Sequence, residues 1–215
     1  MTPPAPPLPA PAAWAAQPQC QACALAATRT ATVSPSGPPG ARLVLVSDIP
    51  EPADARTGKL FSSPGARRLA KLLAARGIDL AQCGLASCCA CPAPDHRRPR
   101  ALEVRACARW LEKALRAYFQ PTVILAVGGI ATRYFYGPGR FLPLLVAAHA
   151  AQHVPPDPTR AGVRVVPVPS LGTIRQRAAN GLTWHAVAEQ QLACAAGYLS
   201  TPDTPPSAPP PCSTT

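Results

Sequence analysis

The stretch RLVLV at residues 42–46 is the clearest fold signal in the chain, because it is short, apolar after its first residue and rich in valine. Three further short apolar runs lie at residues 85–90, 122–127 and 163–168. Strands that are apolar on both faces are typical of a sheet covered by helices on both sides. We therefore expect these four runs to be the strands of one central sheet.

Helical patterns lie between these runs. Ser63 and Pro64 can supply an N-cap and a first-turn proline, and apolar residues then recur at helical spacing until Gly77. Glycine is common just beyond the end of a helix. A second amphipathic helix is predicted to begin near Pro99, and a closing helix is predicted over residues 182–195.

The alternation of strands and helices predicts an α/β fold with three layers, α/β/α, around a central, mainly parallel four-stranded sheet. The acidic stretch at residues 48–59, which contains prolines and a glycine, is interpreted as a loop. In parallel sheets, ligands bind beyond the carboxyl ends of the strands. The chemistry is therefore expected in the loops that follow the strands, after Val46, Ala90, Val127 and Val168.

Proline content divides the chain of 215 residues into one body and two tails. Residues 1–19 hold seven prolines and no charged residue, and residues 199–215 hold six prolines. Such composition is typical of disorder, so we expect a single domain over residues 20–198. No apolar run is long enough to cross a membrane, and no secretory signal is recognisable. We expect a cytoplasmic monomer without membrane contact.

Positive charge is concentrated in two stretches of this chain, whose formal net charge is +11. Residues 56–76 carry six basic residues and no acidic one, and residues 97–116 are also strongly basic. Such stripes suit a polyanionic partner, because neutralising phosphates releases counterions. The alternative is a basic face that simply meets solvent.

The nine cysteines are numerous for a chain without an export signal. An odd count outside an oxidising compartment indicates metal binding or reactive thiols and argues against a disulfide framework. Cys20 and Cys23 form a Cys-x-x-Cys pair, and Cys91 and Cys107 are separated by 15 intervening residues. Four thiolates suit zinc and an iron–sulfur cluster equally well. The remaining five are expected to be small buried hydrophobes: Cys83, Cys88, Cys89, Cys194 and Cys212.

Six segments, taken in order, resemble the family 4 (iron–sulfur) uracil-DNA glycosylases. They are CQACALAATRTATV at 20–33, DIP at 48–50, GKLF at 58–61, the stretch from Cys91 through Arg97-x-Pro99 to Cys107, PTVILAVGGIA at 121–131 and VPS at 168–170. One such match alone is weak evidence for the resemblance, but the shared order and spacing of all six are strong evidence. The resemblance implies a uracil-DNA glycosylase-like domain over residues 20–198.

The resemblance also implies a cofactor. The cysteines that bind the family's [4Fe–4S] cluster align with Cys20, Cys23, Cys91 and Cys107. The resemblance therefore favours this cluster over zinc. The cluster is expected to be structural and to connect the N-terminal segment to the helix that carries Cys107. Metal binding and folding should then be coupled.

The site residues implied by the resemblance depart from the family pattern. The catalytic glutamate of the family aligns with Asp48, its uracil-reading asparagine with Ser87, and its histidine with Val168, while the stacking aromatic remains as Phe61. Asp48 is thus the expected catalytic residue, although a loop or helix-capping role is the alternative. Phe61 and Ser87 are the expected base-binding residues, unless the ring belongs to the ordinary core. The expected DNA-binding residues are Arg97, Arg98, Ser170 and Arg175.

Three functions remain open from the sequence. The first is a DNA glycosylase of base excision repair that removes uracil, or another deaminated base, from DNA by hydrolysing the N-glycosidic bond. The second is a catalytically inactive homologue that binds nucleic acid or a protein. The third is a thiol or iron–sulfur redox protein, which only the cysteine count supports. DNA, either uracil-containing or single-stranded, is the expected partner.

Overall fold

The computed structural model describes residues 14, 17–138, 162–173 and 184–200. Within these ranges four strands form one sheet in which all neighbours run parallel, in the order β2-β1-β3-β4. The strands are β1 Leu43–Ser47, β2 Gly84–Ser87, β3 Val123–Val127 and β4 Arg164–Val168. The predicted fold class and the four predicted strands are therefore confirmed.

Six α-helices lie in the same ranges. They are α1 Leu25–Thr28, α2 Pro52–Thr57, α3 Pro64–Ala74, α4 Ala101–Lys113, α5 Gly129–Tyr136 and α6 Trp184–Ser200. A π-helical turn, Ala114–Phe119, extends α4. Short 3-10 turns form at Leu80–Gln82 and Pro94–His96. None of the helices in the described ranges is long and apolar enough to span a membrane.

The sheet has an apolar core on each face. On one face, side chains from β1, β3 and β4 pack against α3 and α6. On the other, the intervening side chains of β1 and β3 pack against α4, its π-helical turn and α5. We call these the α3/α6 face and the α4/α5 face. Side chains alternate along each strand, so both faces are apolar and the three-layer prediction is confirmed.

The stretch at residues 48–59 differs from its predicted loop, because it contains helix α2. Glu51 and Asp54 form a reciprocal capping box, and Pro52 occupies the first turn. The helix ends at Gly58, whose φ of 68° is accessible to glycine. These start and stop signals are present in the sequence, but they enclose only six residues.

Part of the segment assigned to the N-terminal tail packs on the domain. The Trp14 side chain is 5% exposed and meets the Tyr118 ring edge-on, with 5.9 Å between ring centroids. Gln17 is also buried and accepts a hydrogen bond of 2.7 Å from the Ser34 hydroxyl. At the other end, α6 continues to Ser200, which lies in the predicted C-terminal tail. The rest of both predicted tails lies outside the described residues, apart from the surface residues 18 and 19.

Candidate functional site

The strand order places a switch point between β1 and β3. The chain leaves β1 to form β2 on one side and leaves β3 to form β4 on the other. In open parallel sheets, ligands bind in the crevice outside the carboxyl ends of strands at such a point. Asp48, directly after β1, is the acidic residue that the sequence predicts there.

Asp48 reaches across this switch point to helix α5. Its Oδ1 accepts hydrogen bonds from the backbone N–H groups of Ile130, at 2.9 Å, and Ala131, at 2.7 Å. A Cβ atom at Gly128 would lie 2.5 Å from the same oxygen, so the close approach requires glycine. No described residue donates a hydrogen bond to Oδ2. The carboxylate therefore caps α5 with one oxygen and keeps the other for a ligand or water.

Burial raises the pKa of the Asp48 carboxyl above its ordinary value. The two backbone hydrogen bonds and the positive charges of Arg133 and Arg98 act in the opposite direction without cancelling the effect of burial. Asp48 should therefore accept a proton at a higher pH than a surface aspartate does. Arg133, on α5, is a neighbour of the site that the sequence did not predict.

Ser87 and Phe61 lie on the α3/α6 face of the sheet. Ser87 ends β2, is 8% exposed and donates a hydrogen bond of 2.6 Å to the Cys89 carbonyl. Phe61 is 7% exposed and belongs to the same apolar cluster as Val168 and Leu171. The valine at the family's histidine position thus contributes to an apolar surface.

The backbone of Phe61 adopts φ 58°, a left-handed conformation that is unusual for a bulky residue. Such conformations cost on the order of 1–3 kcal/mol and often occur at functional sites. Phe61 therefore combines an unusual backbone conformation with a ring that is buried in the α3/α6 cluster.

Arg97 is already paired within the protein. Its guanidinium makes two hydrogen bonds to the Glu103 carboxylate, of 2.9 and 2.6 Å, and Glu103 also accepts from the Arg100 backbone N–H. The pairing with Arg97 holds the pKa of the Glu103 carboxyl below its ordinary value despite the opposing effect of burial. Arg97 therefore connects the loop before α4 to the first turn of that helix.

The other expected DNA-binding residues differ in accessibility. Arg98 is exposed and contributes positive charge at Asp48. Ser170 is half-buried, and its hydroxyl shares a hydrogen bond of 2.6 Å with the Thr173 hydroxyl. Arg175 lies outside the described residues.

The four cysteines predicted to bind a cluster line one pocket, with about 350 Å³ of empty space. Cys20 and Cys23 come from the N-terminal segment, Cys91 from the loop after β2, and Cys107 from α4. No aspartate, glutamate or histidine is among the described lining residues. We call this the cysteine pocket. Across the described ranges, no three such acidic, histidine or cysteine side chains are close enough to hold a metal ion as they stand.

Donors surround the thiols of the cysteine pocket. The Arg109 guanidinium donates to Cys20 Sγ at 2.9 Å, and the Ala90 backbone N–H donates to Cys107 Sγ at 3.3 Å. Trp110 also lines the pocket, and its buried indole N–H has no acceptor at hydrogen-bond distance among the described residues. The indole nevertheless helps to lower the pKa of the Cys20 thiol.

The thiols differ in acidity. The Cys89 side chain, through a hydrogen bond, lowers the pKa of Cys107 to about 7, against the effect of burial. The same bond, with burial, raises the pKa of Cys89. Burial raises the pKa of Cys91. For Cys20, burial is outweighed by hydrogen bonds to the thiolate, so its pKa falls. The surroundings therefore lower the pKa of Cys107 and of Cys20 and raise that of Cys89 and of Cys91.

The cysteines outside the predicted ligand set differ in whether they form a disulfide. Cys83, Cys88 and Cys89 are buried and are not part of a disulfide, in agreement with the expectation. Cys194 is disulfide-bonded, so the expectation of a free thiol is wrong there. Cys212 lies outside the described residues.

Comparison with known proteins gives the same family as the motifs. Residues 34–189 match the family model described as the uracil DNA glycosylase superfamily. A type-4 uracil-DNA glycosylase of Thermotoga maritima is 30% identical over 117 residues, which cover 54% of this chain and 60% of that protein. A type-4 uracil-DNA glycosylase of Sulfurisphaera tokodaii is 25% identical over 118 residues, which cover 54% and 53% of the respective chains.

The chain therefore spans little more than half the length of the curated relatives it matches. The family model, in contrast, extends from before β1 into α6 and so includes all four strands and both sides of the switch point. With this match, the motif order and the parallel sheet in agreement, the chain belongs to the uracil DNA glycosylase superfamily, as a divergent relative of its type-4 members.

Proposed function

We propose that this protein extrudes a deaminated base from DNA, with uracil as the first candidate, and hydrolyses its N-glycosidic bond. The observation that supports this most directly is the Asp48 carboxylate at the switch point, which has one oxygen oriented by α5 and the other without a donor among the described residues. The superfamily match and the names of the two relatives support the same reaction.

The proposed reaction needs little covalent chemistry from the protein. The bond between C1′ and the base nitrogen breaks, its electron pair leaves with the base, and a water oxygen bonds to C1′. Asp48, when ionised, orients this water and accepts its proton, and its charge stabilises the cationic sugar. Phe61 stacks on the extruded base, and Ser87 contacts the hydrogen-bonding edge of the base.

Two features should make the reaction slower than in a protein with the full family motif. Asp48 is one methylene shorter than glutamate, and a displacement of about 1 Å can cost on the order of 10²-fold. The apolar Val168 donates nothing to the departing base, and losing one donor typically costs on the order of 10²–10³-fold in rate.

The cysteine pocket fits an iron–sulfur cluster by the chemistry of its lining. Thiolates are the usual ligands of such clusters, and N–H donors such as those of Trp110 and Arg109 suit their sulfur atoms. Cys20, Cys23, Cys91 and Cys107 would hold the [4Fe–4S] group. When bound, the group supplies structural cross-linking. The four cysteines themselves would then fix the N-terminal segment against α4 and the loop after β2.

DNA is the proposed partner, and the basic stretches of the chain would meet its phosphates. Arg98 is the candidate contact nearest to the chemistry, because it is exposed and acts electrostatically on Asp48. Arg97 is a weaker candidate, since both of its terminal nitrogens already bond to Glu103. Ser170 and Arg175 remain proposed contacts.

A second candidate function is base or DNA binding without cleavage. One observation favours it: Asp48 Oδ1 is engaged by two backbone N–H groups, as in a residue that serves only as a helix cap. On this account the replaced family residues reflect loss of the chemistry, while the fold and the basic surface persist.

A cleavage assay separates the two candidates. Anaerobically purified protein is incubated with single- and double-stranded oligonucleotides that contain uracil, hypoxanthine or a normal base, and abasic sites are scored. Abasic sites that disappear with Asp48→Asn support the hydrolase. Binding without abasic sites supports the second candidate, and absence of both contradicts the proposal.

A further inference from the structure

The last residues of the four strands form one row across the sheet. Ser87 pairs in register with Ser47, Ser47 with Val127, and Val127 with Val168. On every strand, the residue two positions earlier packs on the α3/α6 face. Because side chains alternate along a strand, the row points to that face, where Phe61 also lies. The row therefore has two hydroxyl groups on one side and two valines on the other.

The two hydroxyl groups of the row differ in how they are satisfied. Ser87 donates its hydrogen to the Cys89 carbonyl at 2.6 Å. Ser47 is 8% exposed, and its buried Oγ has no hydrogen-bond partner among the residues that the structure describes. A buried polar group without a partner costs on the order of 1–3 kcal/mol, so it is rarely kept without a reason.

We propose that the partner of the Ser47 hydroxyl is a carbonyl oxygen of the extruded base, so that Ser47 selects keto bases such as uracil and hypoxanthine over their amino-bearing parents. This inference rests on the proposed extrusion of a base into the site beside Phe61. It adds a specificity residue that the family motifs do not supply.

The selectivity follows from the neighbouring Ser87. Its hydrogen is committed to the Cys89 carbonyl, so its oxygen presents only lone pairs to a ligand. Together the two serines offer a donor beside an acceptor, which matches the C=O and ring N–H of a keto base. In the same orientation, cytosine or adenine would place a ring-nitrogen lone pair against the lone pairs of Ser87. The Ser47 hydroxyl could rotate to accept from the amino group, but that repulsion would remain.

The same hydrogen bond would assist cleavage. When the glycosidic bond breaks, negative charge spreads onto the base carbonyl oxygens, and a donor there becomes more favourable. Val168 occupies the family's histidine position and cannot donate. Ser47, two strands away in the same row, supplies a hydroxyl that can.

The test measures equilibrium binding, so it does not depend on turnover. Oligonucleotides carry 2′-fluoro-2′-deoxyuridine or 2′-fluoro-2′-deoxycytidine at one position, because the fluorine suppresses cleavage. The ratio of the two affinities is compared among the wild type, Ser47→Ala, Ser47→Cys and a distant hydroxyl deletion, Ser200→Ala. The exposed Ser200 hydroxyl donates to the Ala196 carbonyl within α6.

We expect the wild type to prefer uracil and both Ser47 variants to reduce that preference by about 3- to 10-fold, the value of one neutral hydrogen bond. Ser47→Ala should not lower the melting temperature, because it removes a hydroxyl that has no partner in the free protein. Ser200→Ala should leave the preference unchanged. Ser47→Cys keeps the side-chain shape with a weak donor, so it separates hydrogen bonding from packing.

A uracil preference that survives in both Ser47 variants would overturn this inference while leaving the proposed function intact. A wild type that binds both oligonucleotides equally well would also overturn it. A wild type that binds neither would contradict the proposed function itself, and the inference with it.

Discussion

The cysteine pocket and the carboxyl edge of the sheet differ in how closely they follow the family pattern. All four family cysteines are present in the pocket, and they line it together. At the carboxyl edge, three family residues are replaced by Asp48, Ser87 and Val168. On the proposed function, the difference separates residues that would hold the framework together from residues that would read the base.

The largest effect is expected from removing a thiol of the cysteine pocket. Cys107→Ser should abolish bound iron and lower the melting temperature by on the order of 10 °C, because metal binding and folding are coupled. Iron content, visible absorbance and thermal unfolding measure this. Cys83→Ser is the matched control, since Cys83 is a buried free thiol elsewhere in the core and should leave the iron content unchanged. If the Cys107→Ser variant retains the full iron content of the wild type, Cys107 is not a ligand, and the contrast between the two regions is lost.

The next largest effect is expected at Asp48. Asp48→Asn keeps an oxygen that can cap α5 but loses the charge, so cleavage should fall by on the order of 10²–10³-fold while the fold is retained. Asp48→Ala also loses the cap and should cost about 1 kcal/mol of stability in addition. Single-turnover cleavage and thermal unfolding measure the two effects. Equal cleavage by Asp48→Asn and the wild type would leave Asp48 with a capping role only.

The pH dependence sharpens the assignment of Asp48. Because the pKa of Asp48 is raised, its carboxyl should become protonated at a higher pH than that of a surface aspartate. On the proposed mechanism, cleavage should decline at that higher pH, since it needs the ionised form. The contribution of Asp48 to the free energy of unfolding changes with pH in the opposite direction to its contribution to cleavage. A raised pKa in the folded state favours folding below the unfolded pKa, and this contribution disappears as pH rises through the folded pKa. Asp48→Asn should therefore show less loss of stability across that range than the wild type, in unfolding measured at several pH values.

A smaller effect is expected from the ring of Phe61. Phe61→Leu should weaken binding of a uracil-containing oligonucleotide by about 10-fold, within the roughly 1–3 kcal/mol that stacking on one base contributes. The matched control is Phe135→Leu, a buried ring on the α4/α5 face. The two variants should lose similar stability, and only Phe61→Leu should lose affinity. Equal affinities would assign Phe61 to the ordinary core.

The smallest effect is expected at the ion pair between Arg97 and Glu103. Arg97→Gln should lower the melting temperature by a few degrees near neutral pH, because Glu103 is buried and would lose its main partner. Since the pairing lowers the pKa of Glu103, its contribution is present above the unfolded pKa and disappears as pH falls through the folded pKa. The variant should therefore lose less stability than the wild type on acidification.

The control for this ion pair is Arg116→Gln, which breaks an exposed pair with Glu112 on one helix. Exposed pairs of this kind contribute little, so its melting temperature should remain close to that of the wild type. If Arg97→Gln instead leaves stability unchanged and weakens DNA binding, Arg97 belongs to the DNA contacts that the sequence predicts.

Most of the sheet could be predicted from the sequence, because buried parallel strands are continuous apolar runs with clear ends. The exception is β2, which ends at Ser87 where the prediction continued to Ala90. There the chain leaves the sheet, with the Cys88 N–H bonding back to the Ser47 carbonyl at 2.8 Å. Residues 88–90 are apolar because they pack around the cysteine pocket and on the α4/α5 face, and composition cannot separate that burial from a strand.

Helix α5 shows a different limit. Gly128 and Gly129 directly follow β3 in the sequence, and Gly128, with φ 112°, is also the N-cap of α5. Two adjacent glycines give no helical signal of their own. The helix start is completed by Asp48, 82 residues earlier in the chain. A cap that comes from another element cannot be found by local pattern, which is also why the capping role of Asp48 could only be an alternative.

The docking of Trp14 has a practical consequence for any shortened form of the chain. A boundary chosen by proline content falls at Cys20 and removes both Trp14 and Gln17. The Tyr118 ring would then lose its edge-on neighbour, and the cysteine pocket would lose one of its lining residues, Gln17. Loss of a buried tryptophan can cost about 3–5 kcal/mol. A chain trimmed to Cys20 would therefore keep every cysteine yet form a weaker pocket, and its failure to retain iron would say nothing about the ligands.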